Sequence, residues 1–375
     1  MKIITVLVGD VYGFPPVLNL LKAFEKIGVN STLITTKARK KLKEEYTKTN
    51  IEELDLVYED ILSPVKKMFG MPAISNKLWK LIEKYYDDES IIWVVTDVTI
   101  KYLGNRLLTK RYILHLMELS EKLYYYYRLP MLKLNEEKIG NKALAVIVPE
   151  YNRAQITKAW WKLERIPLII PNKPYVDAII NKNAIIEDKN AEKIIRSIGD
   201  KKIILYQGIM SAERPLDMFI DAVDEYEGKY AFVVMSGGEN IYKNHKSANY
   251  YFIPFVTPPK HLQITSHAFI GILSYVPTNS TGYSPLNSLY CAPNKTFEYS
   301  MFGIPMIGNN IPGLKFLFDT QKNGICFESF SKKDICDAID RIEKDYDMYS
   351  SNSLEYFNSC DYEKIVRKIL KEIEF

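Results

Sequence analysis

Short apolar runs alternate with amphipathic segments along the chain. Residues 3–8 are a continuous apolar run, which is typical of a strand buried on both faces of a parallel sheet. Apolar residues then recur at helical spacing from Val17 to Ile27, and Gly28 follows them as a helix stop. Residues 29–35 are predicted to be the next strand. The pattern therefore predicts a β-loop-α-β start, as in doubly wound α/β domains.

The same alternation continues and then begins again in the second half. Further strands are predicted in the first half at residues 91–96, 112–116, 143–148 and 166–170. In the second half they are predicted at residues 202–206, 230–235, 250–255, 268–276 and 304–308. Amphipathic segments separate most of these strands, which predicts parallel sheets with helices on both faces. We expect an α/β protein of two facing Rossmann-like domains.

The length of the chain indicates how many domains it forms. A chain of 375 residues is expected to form two domains of about 150–200 residues each. We predict an N-terminal domain at 1–171, a linker at 172–193 and a C-terminal domain at 194–355. Residues 356–375 are predicted to form a final helix, which either stays on the second domain or crosses back to the first.

Charge and composition exclude several classes of protein. The formal net charge is +4, and no stripe of Lys and Arg alternates with aromatic residues, so nucleic acid is not an expected partner. The four cysteines and four histidines show neither a CxxC nor an HExxH spacing, which disfavours a metal and agrees with the reducing cytosol. We predict a cytoplasmic protein without a cofactor.

Two stretches leave room for contact with a membrane surface. Residues 37–43 are rich in Lys and Arg, and residues 124–127 are four consecutive tyrosines. Such stretches suit an anionic bilayer surface, but a solvated helix face and a tyrosine-rich composition explain them equally well. No apolar run reaches the length of about 20 residues that a membrane span needs. Peripheral attachment to the inner face of the plasma membrane is therefore the expected form of any membrane contact.

Polar residues follow several predicted strands of the first half. The loop after residues 3–8 contains Gly9, Asp10, Tyr12 and Gly13. Its GxxxG spacing is not the GxGxxG fingerprint, so a dehydrogenase is disfavoured. His115 and Glu118 lie at the carboxyl end of another predicted strand, where open α/β sheets bind ligands.

His115 and Glu118 also have an alternative explanation that involves no ligand. A histidine at the end of a buried strand can belong to the core, with its hydrogen bonds satisfied there. A glutamate at that place can start a helix. We give the two interpretations equal weight.

The second half offers a denser set of candidates. Asn294, Lys295 and Glu298 share the first turns of a helix predicted at residues 293–303. An ammonium beside a helix N-terminus suits phosphate, and a carboxylate on the same face can accept two adjacent hydroxyls. An ordinary surface ion pair is the equally weighted alternative. Gly208 and Arg214 lie in a loop after another strand, where a glycine allows close approach and a guanidinium can bind a diphosphate.

The spaced motifs of this half resemble those of GT-B glycosyltransferases, in particular the bacterial group-one type that builds surface glycans. The motifs are Tyr206-Gln207-Gly208, Arg214-Pro215-Leu216, Met235-Ser236-Gly237-Gly238, Pro293-Asn294-Lys295-Thr296-Phe297-Glu298-Tyr299 and Gly303-Ile304-Pro305-Met306-Ile307. The resemblance implies a hexosyltransferase-like enzyme that uses a nucleotide-sugar, usually a UDP-sugar. It also implies a glycan, lipid-linked or protein-linked acceptor.

The resemblance assigns roles to individual residues. Glu298 would bind the ribose hydroxyls, Asn294 and Lys295 would bind the diphosphate, and Arg214 would neutralise it from the other side. Gly208 would permit close approach, and either Tyr251–Pro254 or Gly237-Gly238 would border the nucleobase.

In the N-terminal domain the loop with Gly9, Tyr12 and Gly13 would approach the sugar and the acceptor. His115, Glu118 and Asp10 are the candidates for a catalytic base. A helix N-terminus and two cations could stabilise the leaving diphosphate without a metal.

One position departs from the resemblance. Many retaining members have a glutamate eight residues before the residue that corresponds to Glu298, and this chain has Tyr290 there. Neither retention nor a hexose donor therefore follows. A sugar-nucleotide epimerase of the same fold and a non-catalytic partner subunit stay as alternatives. The oligomeric state is equally open, with a homodimer among the alternatives.

Overall fold

The chain folds into two α/β units. One unit contains Met1–Pro171 and Asp361–Phe375, and the other contains Asn172–Cys360. The computed structural model describes residues 1–38, 40–54, 64–123, 134–176, 180–278 and 283–374, with backbone only at 40, 41, 64–71 and 374. All structural statements below refer to these residues.

The first unit contains a parallel sheet of seven strands. The strands are β1 (Lys2–Asp10), β2 (Asn30–Lys37), β3 (Thr49–Glu53), β4 (Ser90–Val95), β5 (Tyr112–His115), β6 (Ala145–Val148) and β7 (Leu168–Ile169). The helices are α1 (Pro15–Ile27), α2 (Lys40–Glu45), α3 (Pro64–Tyr85), α4 (Asp97–Leu103), α5 (Glu136–Lys142) and α6 (Tyr151–Trp161). The strand order is β3-β2-β1-β4-β5-β6-β7, so the order reverses between β1 and β4.

The second unit contains a parallel sheet of six strands. The strands are β8 (Lys202–Gln207), β9 (Tyr230–Ser236), β10 (Tyr250–Pro254), β11 (Ala268–Leu273), β12 (Met306–Asn309) and β13 (Gly324–Phe327). The helices are α7 (Lys189–Ile198), α8 (Asp217–Asp224), α9 (His261–Thr265), α10 (Leu286–Leu289), α11 (Asn294–Ser300), α12 (Pro312–Gln321), α13 (Lys332–Lys344) and α14 (Tyr346–Ser359). A further helix, α15 (Tyr362–Glu374), belongs to the first unit. The strand order is β10-β9-β8-β11-β12-β13, with the reversal between β8 and β11.

Both faces of the second sheet are covered. In β8, Ile203 and Leu205 belong to one apolar core, together with side chains of α7, α9 and α11. Ile204 and Tyr206 belong to another core, with side chains of α8 and α13. Because successive residues of a strand point to opposite faces, a continuous apolar run is needed to fill both cores. The prediction of two α/β domains with parallel sheets is confirmed.

The boundaries of the second unit differ from the predicted ones. Residues 172–193, expected as a linker, belong to this unit and include the start of α7. Ile186 and Ala191 are buried in its core. This stretch therefore packs on the second unit, although its largely polar composition predicted a linker. At the other end, α14 continues to Ser359, past the predicted boundary at residue 355.

The last helix has an amphipathic pattern and packs in the first unit. Helix α15 contacts α1. Its buried side chains are Tyr362, Val366, Ile369, Leu370 and Ile373. Of the stretches considered for membrane contact, residues 124–127 lie outside the described residues, as does Arg39 within residues 37–43. Among the residues described, no helix is both long and apolar enough to span a bilayer.

Candidate functional site

Several polar side chains meet at the carboxyl end of the second sheet, where its strand order reverses. Gln207 ends β8 and Gly208 follows it, while Tyr275 comes two residues after the end of β11. Strands β8 and β11 are neighbours in the sheet. In open α/β sheets the loops diverge at such a reversal and leave a crevice in which ligands bind.

Glu298 lies at the centre of this group and is only 7% exposed. Its Oε2 atom accepts a hydrogen bond from Gln207 Nε2. Its Oε1 atom lies 3.3 Å from His261 Nε2. Burial alone would raise the pKa of Glu298, but the hydrogen bonds from His261 and Gln207 and the charge of Lys295 together lower it. The carboxylate is therefore charged at neutral pH.

Lys295 precedes Glu298 by three residues on α11 and lies among aromatic rings. Its ammonium is 4.4 Å from the ring centroid of Tyr206 and 5.3 Å from that of Tyr275. Ring faces attract cations and stabilise the charge in part. Burial and the nearby guanidinium of Arg214 nevertheless lower the pKa of Lys295 to about 7, against the raising effect of Glu298. An anionic ligand would favour the charged form of this amine.

Arg214 stacks on the other aromatic partner of Lys295. Its guanidinium carbon lies 4.1 Å from the ring centroid of Tyr275, and its Nη1 atom is 3.7 Å from Glu213 Oε2. That Nη1 atom is buried, and no protein group within the described residues accepts a hydrogen bond from it. A buried guanidinium N–H without an acceptor is costly, so an acceptor supplied by a ligand would be favourable here.

The backbone of Gly208 comes close to the ammonium. A Cβ atom at this position would lie 3.4 Å from Lys295 Nζ and 3.7 Å from the Tyr206 hydroxyl, and φ is +133°. These distances are ordinary van der Waals contacts, so it is the backbone angle that favours glycine. The structure thus brings Gly208, Arg214, Lys295 and Glu298 together, as the motifs suggested.

The two other candidates of this unit lie nearby in the fold. Asn294 is the first residue of α11 and precedes Lys295 directly. Gly237 follows β9, the strand next to β8, and a Cβ atom there would lie 3.7 Å from Phe255 Cβ. Gly237 is exposed. Their roles toward the diphosphate and the nucleobase stay predictions.

His115 has the environment of a core residue. Its side chain has no exposed surface, and Trp93 Nε1 donates a hydrogen bond of 3.3 Å to His115 Nδ1. Burial lowers the pKa of His115 to about 3, so the ring is neutral at physiological pH. A side chain without accessible surface agrees with the core alternative, and the catalytic role of His115 stays a prediction.

Asp10 and Glu118 remain accessible at the carboxyl end of the first sheet. Glu118 has a side chain that is 44% exposed, with Arg153 Nη1 at 3.8 Å. Asp10 accepts a hydrogen bond of 3.1 Å from the backbone N–H of Tyr12, and Lys37 Nζ lies 3.5 Å from its other oxygen. Asp10 therefore caps the turn that follows β1.

The predicted acceptor loop is tied to its own unit. Tyr12 is 8% exposed, and its hydroxyl donates to Glu45 at 3.2 Å. The backbone N–H of Gly9 donates to Thr36 Oγ1 at 2.9 Å. Gly13 is exposed, and a Cβ atom there would meet no atom within 4 Å. Of the three, Gly13 is the position most open to a ligand.

Four residues of the site in the second unit were not assigned a role from the sequence. They are Gln207, His261, Thr265 and Tyr275. Gln207 carries a usable signal, because a glutamine that ends a buried apolar strand interrupts the pattern. His261, Thr265 and Tyr275 carry none, since only the packing of α9 and β11 brings them to this place. In the part of the chain that the structure describes, no three His, Cys, Asp or Glu side chains cluster closely enough to hold a metal ion.

Comparison with known proteins adds to this geometry. No protein-family model matches the chain, and no curated protein matches its sequence. Solved structures of similar fold include HepE from Anabaena in complex with UDP and glucose, at 12% identity and a TM-score of 0.68, covering 100% of this chain and 99% of that one. Sucrose-phosphate synthase from Thermosynechococcus elongatus has 15% identity and a TM-score of 0.68, with 99% and 98% covered. α,α-Trehalose 6-phosphate synthase from Burkholderia multivorans has 9% identity and a TM-score of 0.70, with 100% and 98% covered.

These similarities extend over the whole chain and over both sheets. The solved structures are GT-B glycosyltransferases. The chain has the GT-B fold, and the expectation drawn from the spaced motifs is confirmed at that level.

Proposed function

We propose that the protein is a glycosyltransferase that moves a sugar from a nucleoside-diphosphate sugar, most simply a UDP-sugar, to an acceptor. The observation that carries this proposal is the buried carboxylate of Glu298 beside the cations of Lys295 and Arg214 at the switch point of the second sheet. The acceptor is a glycan, a lipid-linked sugar or a protein. The reaction belongs to bacterial surface glycan synthesis and needs no metal.

The chemistry of a nucleoside diphosphate matches the charges of this site. Its ribose has two adjacent hydroxyls that can donate to one carboxylate, and its diphosphate can accept from an ammonium and a guanidinium. HepE from Anabaena was solved with UDP, with UDP and glucose, and with UDP-glucose, and its fold is shared over the full chain. Asn294, Gly208 and Gly237 would complete the donor site.

Transfer of the sugar releases a nucleoside diphosphate, and negative charge builds on it as the bond breaks. Lys295 and Arg214 would stabilise that charge from fixed positions, which is the most effective form of electrostatic catalysis. The acceptor hydroxyl loses a proton. Glu118 and Asp10 are the accessible carboxylates proposed to take it, in a region that includes Gly13.

Thermal unfolding in the presence of nucleotides tests the donor site. UDP, GDP and ADP are compared at 1 mM, and a ligand present at a hundred times its Kd stabilises by about 2.7 kcal/mol. We expect at least one of them to raise Tm, and Glu298→Ala to abolish the rise. Glu192→Ala is the control, because Glu192 is also a glutamate of this unit but pairs with Arg196 on the exposed face of α7. A wild-type protein that none of the three nucleotides stabilises would disprove the proposal.

One observation favours a second candidate function. Tyr290, at the end of α10, stands where many members have the acid that contacts the sugar, so a non-catalytic partner subunit could retain the nucleotide site alone. Incubation with UDP-glucose, UDP-GlcNAc and UDP-galactose separates the two functions. Release of UDP that depends on an added acceptor supports a transferase, whereas nucleotide binding without any turnover supports the partner subunit. Conversion of the donor without an acceptor would indicate an epimerase.

A further inference from the structure

Glu298 is held from two sides by different elements. Gln207, at the end of β8, donates to one carboxylate oxygen, and His261, at the start of α9, approaches the other at 3.3 Å. Both partners are themselves largely buried, with 4% of Gln207 and 14% of the His261 side chain exposed. The carboxylate therefore has a fixed plane rather than the free rotation of a surface glutamate.

Thr265 fixes the orientation of Gln207. Its hydroxyl lies 2.6 Å from Gln207 Oε1 and 3.1 Å from the carbonyl oxygen of His261, so the shorter bond goes to Gln207, and Thr265 is fully buried. Since the amide oxygen accepts from Thr265, the amide nitrogen is the atom that faces Glu298. Thr265 and His261 are four residues apart on α9, so one face of this helix supplies both constraints.

The network leaves acceptor capacity unused. A carboxylate offers about four lone-pair positions, two on each oxygen. One is used on each oxygen, by Gln207 and by His261. Each oxygen thus retains capacity for one more donor, and the distance between the two oxygens of a carboxylate suits two hydroxyls on adjacent carbons.

A purely structural role would leave this arrangement incomplete. A buried carboxylate is costly unless its hydrogen bonds are satisfied, and here the protein satisfies half of them. The Nη1 atom of Arg214 is likewise buried without an acceptor. Unused acceptors and an unused donor in one site indicate a ligand that carries both kinds of group.

We infer that Gln207 and His261 are positioning residues that orient Glu298 toward two adjacent hydroxyls, and that they thereby make the site selective for ribonucleotides over deoxynucleotides. The inference rests on the proposed function, because it concerns the same donor site. Thr265 supports it by holding Gln207.

Calorimetric titration with matched ligands tests this inference. The ligands are UDP, 2′-deoxy-UDP and 2′,3′-dideoxy-UDP, or the same series of GDP or ADP if that nucleotide gives the largest thermal shift. For the wild-type protein we expect the dideoxy ligand to bind roughly 10- to 100-fold more weakly than the ribonucleotide. In Gln207→Leu and His261→Leu the affinity for the ribonucleotide should fall to within about threefold of the affinity for the dideoxy ligand. The affinity for the dideoxy ligand itself should not change.

Two further variants separate positioning from folding. His261→Gln keeps a donor that can reach Glu298, and it should restore at least part of the preference for the ribonucleotide. Gln263→Leu is the matched control, because Gln263 is a glutamine on the same helix that bonds to Glu187 on the exposed side. It should retain the full preference. Tm of each variant without ligand is measured alongside.

The outcomes distinguish this inference from the function on which it rests. Variants that weaken binding of the ribonucleotide and of the dideoxy ligand equally would show that the hydrogen bonds to Glu298 only support the fold. A wild-type protein that binds nucleotide through Glu298 without preferring the ribonucleotide would overturn the inference and leave the proposed function intact. A protein that binds none of the nucleotides would overturn both.

Discussion

The carboxyl ends of the two sheets differ in what their polar residues do. In the second unit Gln207, Glu298 and Lys295 form a connected group with unsatisfied hydrogen-bonding capacity. In the first unit His115 is enclosed in the core with Trp93, and Asp10 caps a turn. Both sheets reverse strand order at these ends. A switch point therefore supplies the place for a site, while the neighbouring side chains decide which polar groups there are buried and which stay accessible.

The comparison also shows why Glu298 keeps its charge when buried and His115 does not. Glu298 is stabilised by two donors and a nearby ammonium. His115 has only Trp93 as a partner at Nδ1, and its Nε2 atom has none among the described residues. A buried group with one neutral partner gives up its charge. The buried carboxylate of Glu298 in the second unit is therefore charged, whereas the buried ring of His115 in the first unit is neutral.

The largest effect is expected from removal of His115. His115→Ala leaves a cavity in the core of the first unit, so we expect a loss of about 2–4 kcal/mol in the free energy of unfolding, measured by urea denaturation. Affinity for a nucleoside diphosphate should not change, because its proposed site lies in the other unit. If His115→Ala instead weakened nucleotide binding and left the stability unchanged, His115 would act in the site and not in the core of the first unit.

The pH dependence of stability gives a second readout for the same residue. The pKa of His115 is about 3 in the folded protein against about 6.5 in an unfolded chain. Between these values the unfolded chain binds the extra proton, so this residue makes stability fall as pH drops from about 6.5. His115→Leu should show a shallower loss on acidification than the wild type.

Removal of Arg214 should affect binding more than stability. Arg214→Ala removes a charged donor and should weaken binding of a nucleoside diphosphate roughly 10- to 100-fold, as measured by calorimetry. Arg367→Ala, which breaks an exposed ion pair with Glu363 in the other unit, is the control and should have no effect. Equal effects of the two variants would mean that only net charge attracts the ligand.

A pair of glycine variants compares the two loops directly. Gly208→Ala must adopt φ near +133°, which L residues rarely adopt, and its Cβ would touch Lys295, so we expect a cost of about 1–2 kcal/mol in stability and weaker nucleotide binding. Gly13→Ala meets open space and should change stability by less than about 0.5 kcal/mol. The thermal shift of each variant with and without UDP measures both effects. Comparable losses of stability in the two variants would contradict the difference in backbone conformation between Gly208 and Gly13.

The smallest effect is a dependence of binding on pH. The pKa of Lys295 is about 7 in the free protein, and a bound diphosphate would raise it. Binding near pH 7–8 should therefore take up protons, and affinity should fall by less than about tenfold per pH unit above 7. Calorimetry in phosphate and in Tris buffer reveals the uptake as a difference in apparent enthalpy. Lys295→Arg stays charged and should show no such difference.

Most strands could be predicted because their residues are apolar on both faces. The runs that became β1, β8 and β9 are largely apolar, and their bounds agree with the structure within two residues. Strand β3 was not predicted, since Thr49–Glu53 lies at the edge of the sheet and has a single apolar residue, Ile51. The short strand β13 was missed for a similar reason, because Gly324–Phe327 is too brief to show a period.

The proposed donor site was predictable only in part. Lys295 and Glu298 lie three residues apart on one helix, so local spacing was enough to pair them. Arg214 and Gly208 come from a distant part of the chain and were connected to them through the order of spaced motifs. The burial of His115 was not predictable, because strand-end position alone does not say whether a side chain faces the core or solvent.

The sequence by itself determined the alternation of strands and helices, the two-unit organisation and the identity of the charged residues on α11. These follow from local periodicity and from contacts within a few residues. Only the tertiary structure decided that Gln207, His261 and Thr265 orient Glu298, and that His115 lies in the core. The reason is physical: hydrogen bonds between β8, α9 and α11 join residues as many as 91 positions apart, and their geometry exists only after the sheet has assembled.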